Sequence, residues 1–127
     1  MISKELYLAF RQELDKMWVP VILDNLECIE YIQYDGKIVG MVAGEIGYID
    51  CVYVLPEYRR KGLAKMAVLE WYARYGSPST QLHIIHENKT ALKFWHSLFK
   101  LKMLETNITD ALYEIICRKD STDESTL

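Results

Sequence analysis

Apolar residues recur every three or four positions at the start of the chain. Leu6, Tyr7, Phe10, Leu14 and Met17 share one face of a predicted helix, with Ser3 placed to cap it. Pro20 ends that pattern, and residues 21–26 read as a short helical turn. Strand-like runs follow. Residues 28–34 predict a strand, Asp35-Gly36 a tight hairpin turn and 37–43 its partner. Gly44 and Gly47 bracket another turn, and 48–55 predict a third strand stopped by Pro56, which has no N–H for a central ladder. Beyond a basic loop, 63–75 form a helix apolar almost all round, interrupted by Lys65, Glu70 and Arg74, and so expected to be largely buried. Gly76-Ser77-Pro78 closes it. Residues 81–85 then predict a strand, Asn88 an N-cap, 90–99 a helix, and 101–105 with 111–117 a closing hairpin around 106–110.

Strands thus come in groups between helices rather than in strict alternation with them, which defines an α+β domain with a mixed sheet. A chain of 127 residues fits one domain, expected over 1–118, with 119–127 as a disordered acidic tail carrying Asp120, Asp123 and Glu124. At this size about two-thirds of the unfolded surface is buried on folding, so neither metal nor disulfide is needed to hold the fold.

Charge narrows the functional classes. A formal net charge of −3 argues against nucleic acid or an acidic membrane surface as a general partner. The one dense basic cluster, Arg59, Arg60, Lys61 and Lys65, is local and suits a single polyphosphate ligand. Cys28, Cys51 and Cys117 are odd in number and lack C-x-x-C spacing, so they make neither a disulfide framework nor a zinc site; each reads as a buried thiol. No secretory pattern opens the sequence, and no apolar run approaches the roughly 18 residues of a membrane helix. The cytoplasm is the expected compartment.

Chemistry concentrates in Val52-Tyr53-Val54-Leu55-Pro56-Glu57-Tyr58-Arg59-Arg60-Lys61-Gly62-Leu63-Ala64. A strand enters a loop, and the loop opens a helix at Gly62. The first amides of a helix lack internal partners and carry partial positive charge, so a pyrophosphate can sit on them where side chains leave room. Gly62 removes one side chain and Ala64 keeps the next small, while Arg59, Arg60 and Lys61 add full charges. There is no Gly-Lys-Ser/Thr ending and no G-x-G-x-x-G, which sets aside ATP-type and dinucleotide loops. Taken alone, a basic turn before a helix is more often a solvated loop.

Arg59-Arg60-Lys61-Gly62-Leu63-Ala64 resembles the Q/R-x-x-G-x-G/A signature of the GNAT superfamily of acyl-CoA-dependent N-acetyltransferases, and it follows a strand ending Val54-Leu55-Pro56 as that family's loop does. A second family element, a strand leading to N-x-x-A and an aromatic helix, is matched by Leu82-His83-Ile84 with Asn88, Ala91, Phe94 and Trp95. The resemblance spans about residues 29–117. It implies a mostly antiparallel sheet of about six strands, splayed at its centre and flanked by helices. It also implies acetyl-CoA as co-substrate, with Val52, Tyr53 and Val54 pairing through their backbone with the pantetheine arm. Amides from Arg59 to Ala64 are implied to hold the pyrophosphate, and Asn88 to contact pantetheine or cap its helix. No metal is implied.

Transfer to an amine needs a neutral nucleophile, although a lysine-like amine has a pKa near 10.4, so some group must accept a proton. Asp50 leads the candidates for that base, followed by His83; Tyr48, Glu45 and His86 are weaker, and each has a plain reading as a solvated or sheet-face side chain. Family members often place a tyrosine acid where this sequence has Trp95, which can donate a hydrogen bond but not a proton. His96 is adjacent but belongs to another helix face. The family's usual Gly-Phe is replaced by Leu98-Phe99-Lys100, and the first predicted element is a helix rather than the strand that usually precedes it. Tyr7, Trp18 and Tyr31 are candidates to line an acceptor pocket, although aromatic residues at such spacing are more often core. The acceptor amine is not legible, and the closing hairpin offers an edge through which a homodimer could form. Two other readings stand beside the enzyme: a non-catalytic acyl-CoA-binding module, and an interaction domain exposing Trp71, Tyr72 and Tyr75.

Overall fold

A computed structural model of the chain describes residues 4–16, 27–76 and 79–119. The sequence readings at Ser3, Met17, Trp18, Pro20, 21–26, Ser77-Pro78 and 120–127 lie outside those residues. Helix α1 (Lys4–Lys16) precedes strands β1 (Cys28–Tyr34), β2 (Lys37–Glu45) and β3 (Tyr48–Val54). A short 3₁₀ turn (Pro56–Tyr58) leads to α2 (Leu63–Tyr75), β4 (Gln81–Ile85), α3 (Lys89–Leu98), β5 (Phe99–Thr106) and β6 (Asp110–Arg118).

The six strands form one sheet in the order β1-β2-β3-β4-β6-β5. All neighbours are antiparallel except β3 and β4, which run parallel and share a single registered pair, Tyr48 with Gln81. A bond from Gln81 N–H to Gly47 O (2.8 Å) secures that pair, and beyond it the two strands part. The sheet is therefore mixed, mostly antiparallel and splayed at its centre. Asp35 and Gly36 both take positive φ in the first hairpin, the geometry a two-residue connection favours.

β2 is apolar on both faces because α1 and α2 pack against it, and Ile38, Val39, Met41, Val42 and Ala43 are buried. Phe10 anchors α1, with Tyr31 edge-on to both Phe10 and Tyr7. Trp71 anchors α2; it is fully buried and its indole N–H donates to Cys28 O (3.0 Å). Two expectations are corrected here. Helix α2 buries only the stripe of Ala67, Val68 and Trp71, leaving Met66 and Ala73 exposed, because just one face of it meets the sheet. For the same reason Trp71, Tyr72 and Tyr75 are not an exposed aromatic patch: Trp71 is core, and the two tyrosines are half-buried against it.

Several boundaries also differ from the sequence reading, three of them with structural consequence. β2 runs on through Gly44, where the ladder shifts register against β3 and a side chain would strike Tyr48 O. α3 begins at Lys89. β5 begins at Phe99, the residue directly after the last of α3, so helix passes into strand with no loop between. Among the described residues no helix is long and apolar enough to cross a membrane.

Candidate active site

The gap between β3 and β4 is a cleft of about 290 Å³ lined by Asp50, Cys51, Val52, His83, Asn88 and Trp95, among others. A second groove, about 510 Å³, is bordered by Val52, Tyr53, Val54, Arg59, Ala64, Asn88, Phe94 and Trp95. Val52, Asn88, Ala91 and Trp95 border both, so the two form one passage from the mouth of α2 into the sheet.

Backbone geometry sets the walls of that passage. Leu55 N–H bonds to Val39 O, and the register then alternates, so Tyr53 turns its backbone groups to β2. Val52 and Val54 turn theirs to the gap. Val54 O is occupied by Arg59 Nε (2.8 Å), whose guanidinium also lies 5.4 Å from the centre of the Tyr53 ring. Val54 N–H and both backbone groups of Val52 have no partner among the described residues.

At the far end of the groove, the loop adopts two left-handed residues, Arg60 (φ 66°) and Gly62 (φ 76°). Arg59 N–H returns to Pro56 O, and the first bond of α2 is Met66 N–H to Gly62 O. Between them, the amides of Arg60 to Lys65 have no protein acceptor among the described residues, and no side chain caps the helix. Nothing lies within 4 Å of where a Cβ on Gly62 would stand. These unpaired amides, the helix dipole and the neighbouring cations fit a diphosphate. Lys61 Nζ sits 5.5 Å from the centre of the Tyr34 ring, and Tyr34 meets Tyr58 edge-on, so the first hairpin borders the loop. Sequence reading missed Tyr34 because its partners are distant along the chain.

Of the candidate catalytic residues, Asp50, His83 and Trp95 line the cleft, and Tyr48 reaches it through His83. Tyr48 Oη and His83 Nδ1 are 2.7 Å apart, bridging β3 and β4. Burial raises the Tyr48 phenol above its ordinary pKa, and the charges of Asp50 and then Asp110 raise it further. Asp50 is exposed at the cleft. Glu45 and His86 are not among the residues lining it. His86 instead contacts the β5–β6 hairpin through Nε2, at 2.9 Å from Asn107 O and 3.1 Å from Thr106 Oγ1. Asn88 Oδ1 accepts from Ala91 N–H (3.0 Å), which caps α3 and leaves the amide Nδ2 for a second partner. Trp95 is 7% exposed, stacked on Phe99 and edge-on to Phe94, and its indole N–H has no partner among the described residues. His96 instead meets the Tyr113 ring.

The three thiols do not share one environment, contrary to the sequence expectation. Cys28 is buried, Cys51 half-buried at the cleft and Cys117 exposed near the end of β6. Burial raises the Cys51 pKa, with Asp50 adding to it. Strand alternation sets Cys51 on the face opposite Asp50, and it meets the cleft because β3 and β4 part there. Among the described residues no group of three or more His, Cys, Asp or Glu could hold a metal ion.

The model of the acetyltransferase (GNAT) family matches residues 3–99, and the chain belongs to that family. Naa50 of Arabidopsis thaliana, solved with the bisubstrate analogue CoA-Ac-MVNAL, superposes with a TM-score of 0.63 at 20% identity, over 90% of this chain and 95% of that one. The PaiA N-acetyltransferase of Thermoplasma acidophilum, solved with coenzyme A, gives 0.58 at 14% identity over 91% and 80%. Arabidopsis thaliana NAA60, solved with a bisubstrate analogue, gives 0.59 at 15% over 89% and 93%. These likenesses establish the fold. No curated relative matches the sequence.

Proposed function

We propose that residues 1–118 form one cytoplasmic N-acetyltransferase domain, which moves an acetyl group directly from acetyl-CoA to an amine of a small molecule or a peptide. One observation carries the reading. A continuous passage joins the unpaired amides of α2 to His83, which is hydrogen-bonded to Tyr48, where β3 and β4 part. Naa50 and NAA60 bound to bisubstrate analogues lend support for an amine acceptor, and the MVNAL sequence of the first makes a peptide N-terminus a natural probe.

In this reading the amides of Arg60 to Lys65 hold the diphosphate, with Arg60 and Lys61 adding charge. Arg59 braces the loop against Val54 and Tyr53. Val52 and Val54 align the pantetheine arm, and Asn88 contacts it while capping α3. Acetyl-CoA supplies an activated thioester; the chain's own groups manage protons and charge. If His83 carries its proton on Nδ1, its Nε2 accepts the amine proton directly. If Nδ1 is the acceptor, Tyr48 takes that proton while passing its own to His83. Its raised pKa keeps the phenol protonated and able to do so. Asp50 favours a cationic amine at the mouth and holds Tyr48 in that state. The Val54 N–H faces the gap and can stabilise charge developing on an acyl oxygen.

Trp95 takes the place of a phenolic acid. A nearly buried indole N–H without a protein partner is unusual, and a ligand atom in the passage satisfies it. It would donate to the departing sulfur without giving up its proton, which suffices because a thiol of pKa near 8.5 leaves tolerably as the anion. The same residue favours a second reading, a module that binds acyl-CoA without turnover. Thermal shift with acetyl-CoA tests binding, and free-thiol release with a panel of amines and peptides beginning Met-Val tests transfer. Stabilisation with thiol release supports the enzyme. Stabilisation with no release for any amine supports the binding module. No stabilisation removes both.

A further inference from the structure

The outer strand β5 is the barest element of the molecule. From Lys102 to Thr106 every residue is exposed, and among the described residues nothing pairs with its outer side. The opposite edge differs: β1 is flanked by α2 and contacts α1 through Tyr31. An edge of this length normally invites pairing, and natural proteins blunt it with lysines and bulges. β5 has both, in an informative arrangement.

Its two register shifts fall between Lys100 and Leu101 and between Met103 and Glu105, leaving the stretch 101–103 in regular register. Residues directly opposite in an antiparallel pair share a face, so Leu101 and Met103 lie with Ile115 and Tyr113. Lys102 lies on the other face with Glu114, and Glu105, beyond the shift, returns to that face beside Leu112. One side of β5 is therefore apolar, with Met103 51% exposed. The other side runs from basic, Lys100 and Lys102, to acidic, Glu105, with Asp110 beyond it at the start of β6.

We infer that β5 is a homodimer interface, in which two copies pair antiparallel about a two-fold axis at Met103. A two-fold contact places the same surface on both partners, so it must complement itself. Reversing β5 upon itself does this. Met103 meets the partner's Met103 on the apolar side with each Leu101 diagonal to it, and Lys102 lies beside the partner's Leu104–Glu105 bulge, basic end to acidic end. Lysines that repel most strands are here matched by the strand's own glutamate. Exposed Leu104 extends the contact. The occupant is a second copy because the complement the edge requires is written on the edge.

Sedimentation velocity on the intact chain at high micromolar concentration tests this. The expected species has twice the 14.9 kDa chain mass. Lys102→Glu and Glu105→Lys, each acting twice across the axis, should each weaken association by at least about tenfold. The double variant Lys102→Glu/Glu105→Lys restores it. Far-UV circular dichroism checks folding, and acetyl-CoA thermal shift, which reads the separate coenzyme groove, is expected to be unaltered. A wild-type chain that stays monomeric overturns the proposal. So does a dimer indifferent to both reversals, or one that the double variant fails to restore.

Discussion

Tyr48 Oη lies 2.7 Å from His83 Nδ1, so a side-chain hydrogen bond joins β3 to β4 beside the registered pair of Tyr48 and Gln81. In the proposed reaction this pair accepts the amine proton. His83→Gln should lower turnover by about two orders of magnitude, in the range general-base removal costs, with coenzyme affinity unchanged. Tyr48→Phe should lose roughly tenfold. Steady-state thiol release beside calorimetric titration with coenzyme A separates the two effects, and a matching loss of affinity would assign the pair a structural role.

The pH profile carries a sign. Burial, then Asp50, then Asp110 raise the Tyr48 phenol, so its ionisation and the resulting loss of activity fall above the ordinary tyrosine range. The folded state holds this proton more tightly than the unfolded chain. Its contribution to stability is thus intact below the unfolded pKa and disappears as pH rises through the folded one. Asp50→Asn removes a negative charge, so the alkaline limb should move to lower pH, and turnover should fall with little change in coenzyme affinity. A limb unmoved in this variant removes Asp50 from the site.

Gly62→Trp should abolish coenzyme A binding while a cooperative thermal transition persists. The space beside Gly62 is open to solvent, so the bulk fills the ligand's position rather than the core. Its left-handed φ adds about 1–2 kcal/mol of strain for any other residue. Equal affinity in variant and parent would show that the diphosphate sits elsewhere.

Cysteine labelling offers a test independent of turnover. An alkylating reagent should modify exposed Cys117 first and Cys28 last. Cys51, its thiol held protonated by burial and Asp50, should react appreciably only above the ordinary thiol range. Acetyl-CoA should slow Cys51 alone, because that thiol lines the passage. Peptide mapping by mass spectrometry reads all three sites.

Trp71→Ala should lower stability by about 3–5 kcal/mol, the usual cost of truncating a buried indole. Trp71→Phe keeps most of the volume but leaves Cys28 O without its donor, at about 1–3 kcal/mol. Urea unfolding should rank the three proteins in that order.

Local chemistry made much of this legible in the sequence. Asp35-Gly36 marked a hairpin, Gly76 the end of α2, and Asn88 the start of α3, because each conformation is set by its own residues. The order of strands and the parting between β3 and β4 came only through the family resemblance, since periodicity does not say which strands are neighbours. Side chains that act across the gap were the least legible. Tyr48 read as a companion of Asp50, whereas its hydrogen bond is to a residue 35 positions away. Cys51 read as core for the same reason: an apolar stretch looks alike whether it faces packed side chains or a cavity. Helix α2 read as buried all round because composition does not reveal how many neighbours a helix has.

The direct passage of α3 into β5 fixes the phase of the last hairpin. Leu98 and Phe99 are both buried, one closing the helix and the other opening the strand, with no residue between them to absorb a change in length. One amino acid inserted there would rotate the whole outer strand by half a pleat. Lys100 and Lys102 would face the helix layer, and the aliphatic side chains now beneath them would be pushed into water.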